Sequence, residues 1–393
     1  MHDIHALYDD IGPELITHLY DPETGMKAVV VVDAVIPGGG GIRMLPDITT
    51  EEIAGLARAM TYKFSIFDLR FRGLPYGGAK AGIFHDPNAE DRDAIIAAFG
   101  RAASPLIRAR VFGTGADMGI SEEDVLAVYK AADAENRGPS PESLALKDGM
   151  PMDLHYTGFG IATAAETTSK AAGFSIEGAT VAIEGFGKSG VSAAMYLSRL
   201  GARVVAVSTI EGLLYDPAGL DVEALRQERA KVGDAVVRTY ARGEKMPKEA
   251  LFTLPVDVLI PGARPYVITG ENAGDIQAKV VVEGANIPTT EEGAAILHSK
   301  GILVAPDFVS NGGGLIAVLR DRENQGATPH DRIFDIVRDS IRKTLGTVLD
   351  NSVKGDAPPR EVAIRMARKN IASRREESRR LRADWPAYEK MQG

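Results

Sequence analysis

TVAIEGFGKSGVSAAMYLSRLGARVVAVST, residues 180–209, decides the fold. An apolar, β-branched run leads into Gly185-Phe186-Gly187-Lys188-Ser189-Gly190, a helical pattern follows, and a second apolar run closes the unit. A GxGxxG pattern is weak alone, but between a strand and a helix it marks a dinucleotide-binding turn. The first glycine permits the tight turn, the second lets a pyrophosphate approach the backbone, and the third lets helix and strand pack closely. The helix N-terminus then offers unpaired N–H groups to the phosphates. Ser208 and Thr209 end the second run, where an adenosine ribose would sit, and no acid follows until Glu211. An acid there would bind ribose hydroxyls and repel a 2′-phosphate, so both NAD and NADP stay open. Lys188 is open to two readings, a phosphate contact or a solvated loop charge.

The same alternation extends outward. An Ala-rich helical pattern near 158–172 precedes the unit, and VDVLIPG (256–262), KVVVEGAN (279–286) and ILVAPDF (302–308) follow it. Short apolar runs of this kind read as central strands of a parallel sheet covered by helices. Beyond residue 325 the pattern turns helical. A chain of 393 residues exceeds what one core usually holds. The expected organisation is therefore α/β with two domains: a substrate and oligomerisation domain at 1–150, a Rossmann-like domain at 151–325, and C-terminal helices at 326–393 packing back on the first.

Composition narrows the function. Forty-five basic against 54 acidic residues give a net charge of −9, which opposes nucleic-acid or anionic-membrane binding by the whole surface. Charges interrupt the N-terminal MHDIHALYDD, and no apolar run is long enough to span a bilayer, so a cytoplasmic location is expected. Zero cysteines exclude thiolate nucleophiles and cysteine-ligated metal, and no metal site is expected. The 42 glycines, about 11% of the chain against a usual ~7%, gather in clusters and mark places of close backbone approach.

Three clusters lie in the first 150 residues. MKAVVVVDAV (26–35) is a β-branched run of strand length, and GGGGIRM (38–44) follows it. Thr49-Thr50-Glu51-Glu52 resembles a helix start, with Ile53, Leu56, Ala57, Met60 and Phe64 at helical spacing and MTYK (60–63) near the end. Further helical patterns occupy 91–104 and 121–133, the second opened by Ser121 and Asp124. In PYGGAKAGI (75–83) a lysine is flanked by glycines, and in GADMG (115–119) one carboxylate stands among small residues. Burial of such a lysine near such a carboxylate would tune both groups.

GGGGIRM, MTYK, PYGGAKAGI, GADMG, TGFG, GFGKSG, EGANIPTT and APDFVSNGGG occur in the order seen in the glutamate/leucine/phenylalanine/valine dehydrogenase superfamily, which the chain resembles over roughly residues 26–320. The resemblance implies reversible oxidative deamination of an L-amino acid to its 2-oxo acid and ammonium, with NAD or NADP, in a homo-oligomer of hexameric or octameric type. It assigns Lys63 to the substrate carboxylate, Lys80 to the general base and Asp117 to proton transfer at the substrate nitrogen. Gly39, Gly40, Gly41 and Gly115 fall on the substrate side. Asn286 and Asn311 match positions that hold the nicotinamide end and the substrate, and Thr157 matches a threonine near the nicotinamide. Plainer readings stand beside these. Lys63 suits an ordinary helix salt bridge, Asp117 or Thr157 a helix cap, and either asparagine a turn.

The chain also departs from the family. Glutamate-specific members hold the side-chain carboxylate with a lysine and a serine where this chain has Gly39 and Val318. A carboxylate buried there without a cation or donor is strongly disfavoured. Gly39 and Gly115 are also smaller than the leucine and alanine of leucine-type members, which implies room for a bulky apolar side chain. Lys63 and Lys80 stand 17 positions apart, farther than the family spacing, and the surplus resembles the run Asp68 to Arg72. Arg70 and Arg72 are open to a site, interface or solvent role. The basic stretch 365–382 carries eight cations, but its interspersed Ile371, Leu381, Glu376 and Glu377 suit a charged helix better than a nucleic-acid surface. The alternatives are a glutamate dehydrogenase with altered side-chain recognition, or a silent homologue acting as sensor or assembly partner. The intact Lys63, Lys80 and Asp117 oppose silence.

Overall fold

The computed structural model describes residues 4–71, 73–138, 146–147, 150–323 and 328–383. The chain divides into two compact units, Met1–Ala145 with Met366–Gly393, and Leu146–Arg365.

In the first unit the strands are β1 (Leu15–Asp21), β2 (Met26–Ala34), β3 (Gly38–Met44), β4 (Arg70–Phe71), β5 (Leu74–Pro75), β6 (Gly77–Ile83) and β7 (Phe112–Gly115). The helices are α1 (Thr50–Ile66), α2 (Arg92–Arg108) and α3 (Glu122–Ala131). Five strands form one sheet in the order β1-β2-β6-β3-β7, with β3 parallel to β6 and β7 and the other pairs antiparallel. GGGGIRM is thus itself a strand, because β6 and β7 pair with its backbone on both sides. Val29 to Val32 of β2 are fully buried, as expected of a strand covered on both faces. One face carries α2 and α3 over a core that includes Val30, Val32, Ile42, Phe99, Phe112 and Val128. The other carries α1, capped by Thr49, whose side chain accepts from the Glu52 N–H. Gly78 lets α1 dock closely, since a β-carbon there would run into the Ala57 carbonyl and the Thr61 N–H. Ser121 and Asp124 form a capping box at α3, as their spacing predicts.

The second unit opens with the short β8 (Leu146–Lys147) and β9 (Met150–Pro151), then α4 (Met152–Ala171), β10 (Thr180–Glu184), α5 (Lys188–Arg199) and β11 (Arg203–Thr209). β12 (Gly212–Tyr215), α6 (Val222–Val232), α7 (Val236–Thr239), β13 (Glu244–Met246), β14 (Val258–Pro261) and β15 (Val280–Val282) follow. The unit closes with α8 (Glu291–Ser299), β16 (Leu303–Ala305), α9 (Asp307–Ser310), α10 (Gly313–Glu323) and α11 (His330–Gly355). A final helix, α12 (Pro359–Ala383), begins here and has its later turns in the first unit.

The seven-stranded sheet runs β13-β12-β11-β10-β14-β15-β16. From β11 to β16 it is parallel, and two antiparallel strands extend the β11 edge, an addition the alternation of patterns does not foretell. Strand order reverses at β10, and the crevice beyond the carboxyl ends at such a point is where open α/β sheets bind ligands. α10 and α11 pack on α4. The segment after residue 325 is therefore shared between the units rather than bracing the first as one piece. Among the described residues, no helix is long and apolar enough to cross a membrane.

Candidate active site

In the first unit the glycines of β3 and β7 pair side by side, Gly39 with Gly113 and Gly41 with Gly115. They leave the α1 face of these two strands without side chains of their own over several residues, a floor of glycine backbone. Lys80 of β6 rises at one end of it and is buried. Its ammonium forms an ion pair with Asp117, which is partly buried in the turn after β7. Arg43 of β3 meets the same carboxylate, with Nε 3.4 Å from Oδ2, and anchors itself on Glu52 of α1 at 2.7 Å. The Met118 N–H donates to Asp117 Oδ1 at 2.7 Å.

Burial and the neighbouring Arg43 guanidinium push the Lys80 amine below the usual lysine range, although the Asp117 charge pulls it back. For Asp117 burial raises the carboxyl, but Lys80 and Arg43 outweigh it and hold the group well below the ordinary carboxylate range. The pair is thus an anchored anion beside an amine that releases its proton more readily than a free lysine. Gly41 is what admits it: a β-carbon there would lie 2.9 Å from the Asp117 β-carbon and 3.2 Å from Lys80 Nζ. Gly40 points the other way, against the Ala79 backbone. Lys63 is buried on α1, two residues beyond Thr61, whose hydroxyl accepts from the Gly78 N–H at 3.2 Å.

The room expected at Gly39 is filled. A β-carbon there would overlap the edge of the Tyr76 ring and stand 2.9 Å from its Cδ1 and 3.4 Å from Phe64 Cζ. Gly115, in contrast, faces open space, with nothing within 4 Å of a β-carbon. Tyr76 and Arg43 are thus two site residues that motif reading passes over. A charged side chain in an otherwise apolar strand is the signal for Arg43, but nothing in the sequence places the ring of Tyr76 over Gly39.

In the second unit Gly185 adopts a φ of +86°, open to glycine but costly for other residues. Gly190 meets the Gly185 carbonyl so closely that no β-carbon fits. Gly187 caps α5 without any side-chain hydrogen bond, and its α-carbon faces open space. An uncapped helix N-terminus behind an open glycine fits the pyrophosphate of a dinucleotide. Lys188 is exposed and Ser189 half-buried in the first helical turn, whereas the Phe186 side chain lies wholly in the core.

The Ser208 hydroxyl accepts from the Gly185 N–H at 3.3 Å, and Thr209 donates to the Asp234 carbonyl at 2.8 Å, so each already has a partner in the protein's own backbone. Exposed Ile210 and then Glu211, ion-paired with Arg238 at 2.5 Å, are what follow at the strand end. Thr157 lies within α4, which begins at Met152, and is therefore no helix cap.

Asn286 and Asn311 are brought together beyond β15, where Asn311 Nδ2 donates to Asn286 Oδ1 at 3.0 Å and to the Gly284 and Ala285 carbonyls. Asn311 Oδ1 is buried with no partner among the described residues, an acceptor suited to a carboxamide N–H of a nicotinamide. Behind the loop, Ile287 sits at a φ of +46°, unusual for a β-branched residue, with its N–H bound to Asp307 Oδ2 at 2.9 Å. Asp307 and Glu283 are both fully buried and share Arg360 at 2.6 and 3.0 Å. Val318 stands half-buried on α10. Among the described residues, no group of three or more histidines, aspartates or glutamates is placed to hold a metal ion.

The basic stretch pairs inward. Arg374, 2% exposed, binds Asp68 and donates to the Leu69 and Tyr76 carbonyls; Arg70 makes a two-pronged pair with Glu377, and Arg375 meets Glu14. Three cations of α12 thus pair within the first unit, Arg374, Arg375 and Arg368, the last with Asp10, while Arg379, Arg380 and Arg382 are exposed. Arg72 lies outside the described residues.

Comparison with known proteins agrees with this architecture. The family model described as "Glutamate/Leucine/Phenylalanine/Valine dehydrogenase" matches residues 149–378, and "Glu/Leu/Phe/Val dehydrogenase, dimerisation domain" matches 24–133. The glutamate dehydrogenase of Thermotoga maritima is 38% identical over 291 residues, 71% of this chain and 67% of the relative. An NAD-specific glutamate dehydrogenase of Staphylococcus aureus is 34% identical over 340 residues, 81% of this chain and 78% of the relative. Among solved structures, a hetero-hexameric glutamate dehydrogenase of Thermus thermophilus in a leucine-bound form superposes with a TM-score of 0.76 at 27% identity, covering 93% of this chain and 88% of that one.

Proposed function

The chain belongs to the glutamate/leucine/phenylalanine/valine dehydrogenase family, as an amino acid dehydrogenase that uses NAD or NADP, and from that premise we propose that its substrate is an L-amino acid with an apolar side chain. The observation that carries the reading is the Lys80–Asp117 pair standing at one end of a glycine floor whose other end is aromatic. A carboxylate side chain lying along that floor would meet the rings of Tyr76 and Phe64 where glutamate-specific members offer a lysine.

In this reading the Lys63 ammonium holds the substrate carboxylate. NAD or NADP, when bound, would supply the hydride acceptor that brings the substrate α-carbon to the iminium level. Lys80, neutral once its proton has gone, accepts a proton from the water that attacks that carbon. Asp117 exchanges protons with the substrate nitrogen, which leaves as ammonium while the 2-oxo acid forms. Asn286, Asn311 and Thr157 serve the nicotinamide end, and the α5 N-terminus with Gly185, Gly187 and Gly190 serves the pyrophosphate. We further propose a homo-oligomeric state of hexameric or octameric type, which sedimentation measures directly; the Thermus thermophilus relative is a hetero-hexamer.

Glutamate is the second reading, favoured by the names of the curated relatives. An initial-rate panel of glutamate, leucine, phenylalanine and tryptophan with both cofactors, following reduced nicotinamide by absorbance, separates the two. The highest kcat/KM on an apolar member supports the proposal, and the highest on glutamate overturns it. Lys80→Ala is expected to reduce kcat on the best substrate by roughly 10²–10⁴, the usual contribution of a general base. Turnover left intact in that variant would sink the mechanism.

A further inference from the structure

Tyr76 lies lengthwise across two strands. Its ring edge occupies the place of a side chain at Gly39, and its hydroxyl occupies the place of one at Gly113, the residue paired with Gly39 on β7. Two strand residues further along, Gly115 faces open space, and Asp117 follows after the same interval. The open floor between the phenol and the Lys80–Asp117 pair is therefore short, roughly 7 Å for each two-residue step along a strand.

The phenol does not hold this place alone. Phe64 of α1 and Phe71 flank it with ring centroids 5.4 Å away, at tilts of 57° and 51°. Phe71 comes from the β4–β5 hairpin, the stretch that makes the spacing between Lys63 and Lys80 long. Helix α12 holds this hairpin, its flanks and the end of α1 before it. Arg374 binds Asp68 and donates to the Leu69 and Tyr76 carbonyls, the last at 3.0 Å. Arg70 pairs with Glu377 at 2.8 and 3.1 Å, and Asn370 donates to the Ser65 carbonyl at 2.9 Å. A buried arginine bound to two backbone carbonyls and a carboxylate fixes the hairpin more firmly than a surface ion pair would.

We propose that Tyr76 is the end wall of the amino-acid side-chain pocket and sets the length of side chain accepted, with Phe71 of the added hairpin as its positioning residue and α12 as the clamp. This rests on the reading of Lys80 and Asp117 as the reacting end. A side chain directed from that end along Gly41 and Gly115 runs towards the phenol, and the phenol stops it.

The test reads the ratio of kcat/KM for tryptophan to that for leucine, and phenylalanine to leucine, in the full-length chain. Tyr76→Ala is expected to raise the tryptophan ratio tenfold or more, a change of the size that pocket volume usually gives. Phe71→Ala should move it the same way by a smaller factor, while Phe71→Tyr, which keeps a ring against Tyr76, should restore the original ratio. A general loss of stability would lower all substrates together and leave the ratios alone. Should Tyr76→Ala not fold, Tyr76→Leu shortens the wall and is read in the same way. Unaltered ratios in a folded Tyr76 variant overturn the wall while leaving the site reading intact. Turnover left intact in Lys80→Ala would instead overturn the site reading, and the wall with it.

Discussion

Arg43 and Asp117 meet through two atoms each: Nε stands 3.4 Å from Oδ2, and Nη2 stands 3.5 Å from Oδ1. The arginine does not stand over the open glycine floor itself, yet it acts on both groups that do. It holds the Asp117 carboxyl down and, as a like charge, helps burial hold the Lys80 amine down. Removing it should raise both. Arg43→Met is therefore expected to move the acid limb of the kcat/KM profile, which reports loss of the Lys80 proton, to higher pH. Arg43→Lys, which keeps a cation, should move it less. Because the change also leaves Glu52 without this partner and Asp117 with only Lys80 and the Met118 N–H, a loss of stability is expected from thermal or denaturant unfolding. A profile left in place would remove Arg43 from the mechanism.

A second prediction concerns the support beneath Asn286 and Asn311. Burial pushes the Glu283 carboxyl up to about 7; Arg360 opposes the rise and Asp307 adds to it. The folded chain thus keeps this proton over a pH range in which the unfolded chain, with an ordinary value of 4.5, has released it. Where the native state binds more protons, stability falls as pH rises. This site should accordingly cost stability progressively between about pH 4.5 and 7. Glu283→Gln, which cannot ionise, should flatten that part of a plot of unfolding free energy against pH. An identical slope in the variant would mean the carboxyl is already ionised in the fold.

How far the residues announced all this differs from place to place. The strand–glycine–helix pattern around Gly185 was legible because local backbone demands dictate it, and the sheet realises it with the positive φ and tight packing that glycine allows. The helix caps at Thr49 and Ser121 were legible for the same reason, since each bond spans only three residues. Gly39 was misleading. A glycine records the absence of its own side chain, not what a residue 37 positions later puts there, and the Tyr76 ring is set by tertiary packing. The bond from the Gly185 N–H to the Ser208 hydroxyl was hidden in a similar way, because a place at a strand end says nothing about which backbone N–H the hydroxyl meets. Arg360, Glu283 and Asp307 are separated by tens of residues and become a cluster only when α12 begins beside β15 and α9.

The last prediction sets two like changes on the same floor against each other. Gly41→Ala places a β-carbon 2.7 Å from the Ala116 carbonyl oxygen, 2.9 Å from the Asp117 β-carbon and 3.2 Å from Lys80 Nζ, so the pair must shift. Displacements near 1 Å of reacting groups cost on the order of 10² in rate. Gly41→Ala is therefore expected to lower kcat by about that factor on every amino acid in the panel. Gly115→Ala adds the same methyl group where nothing stands within 4 Å, so it disturbs neither lysine nor carboxylate. Its effect should fall on KM, and more for phenylalanine and tryptophan than for leucine, because it narrows the open stretch through which the larger side chains would pass. If the two variants behaved alike, by depressing kcat together or by leaving every parameter unchanged, then the reacting end and the side-chain end of the floor would not be distinct. The substrate would then have to lie elsewhere on the sheet.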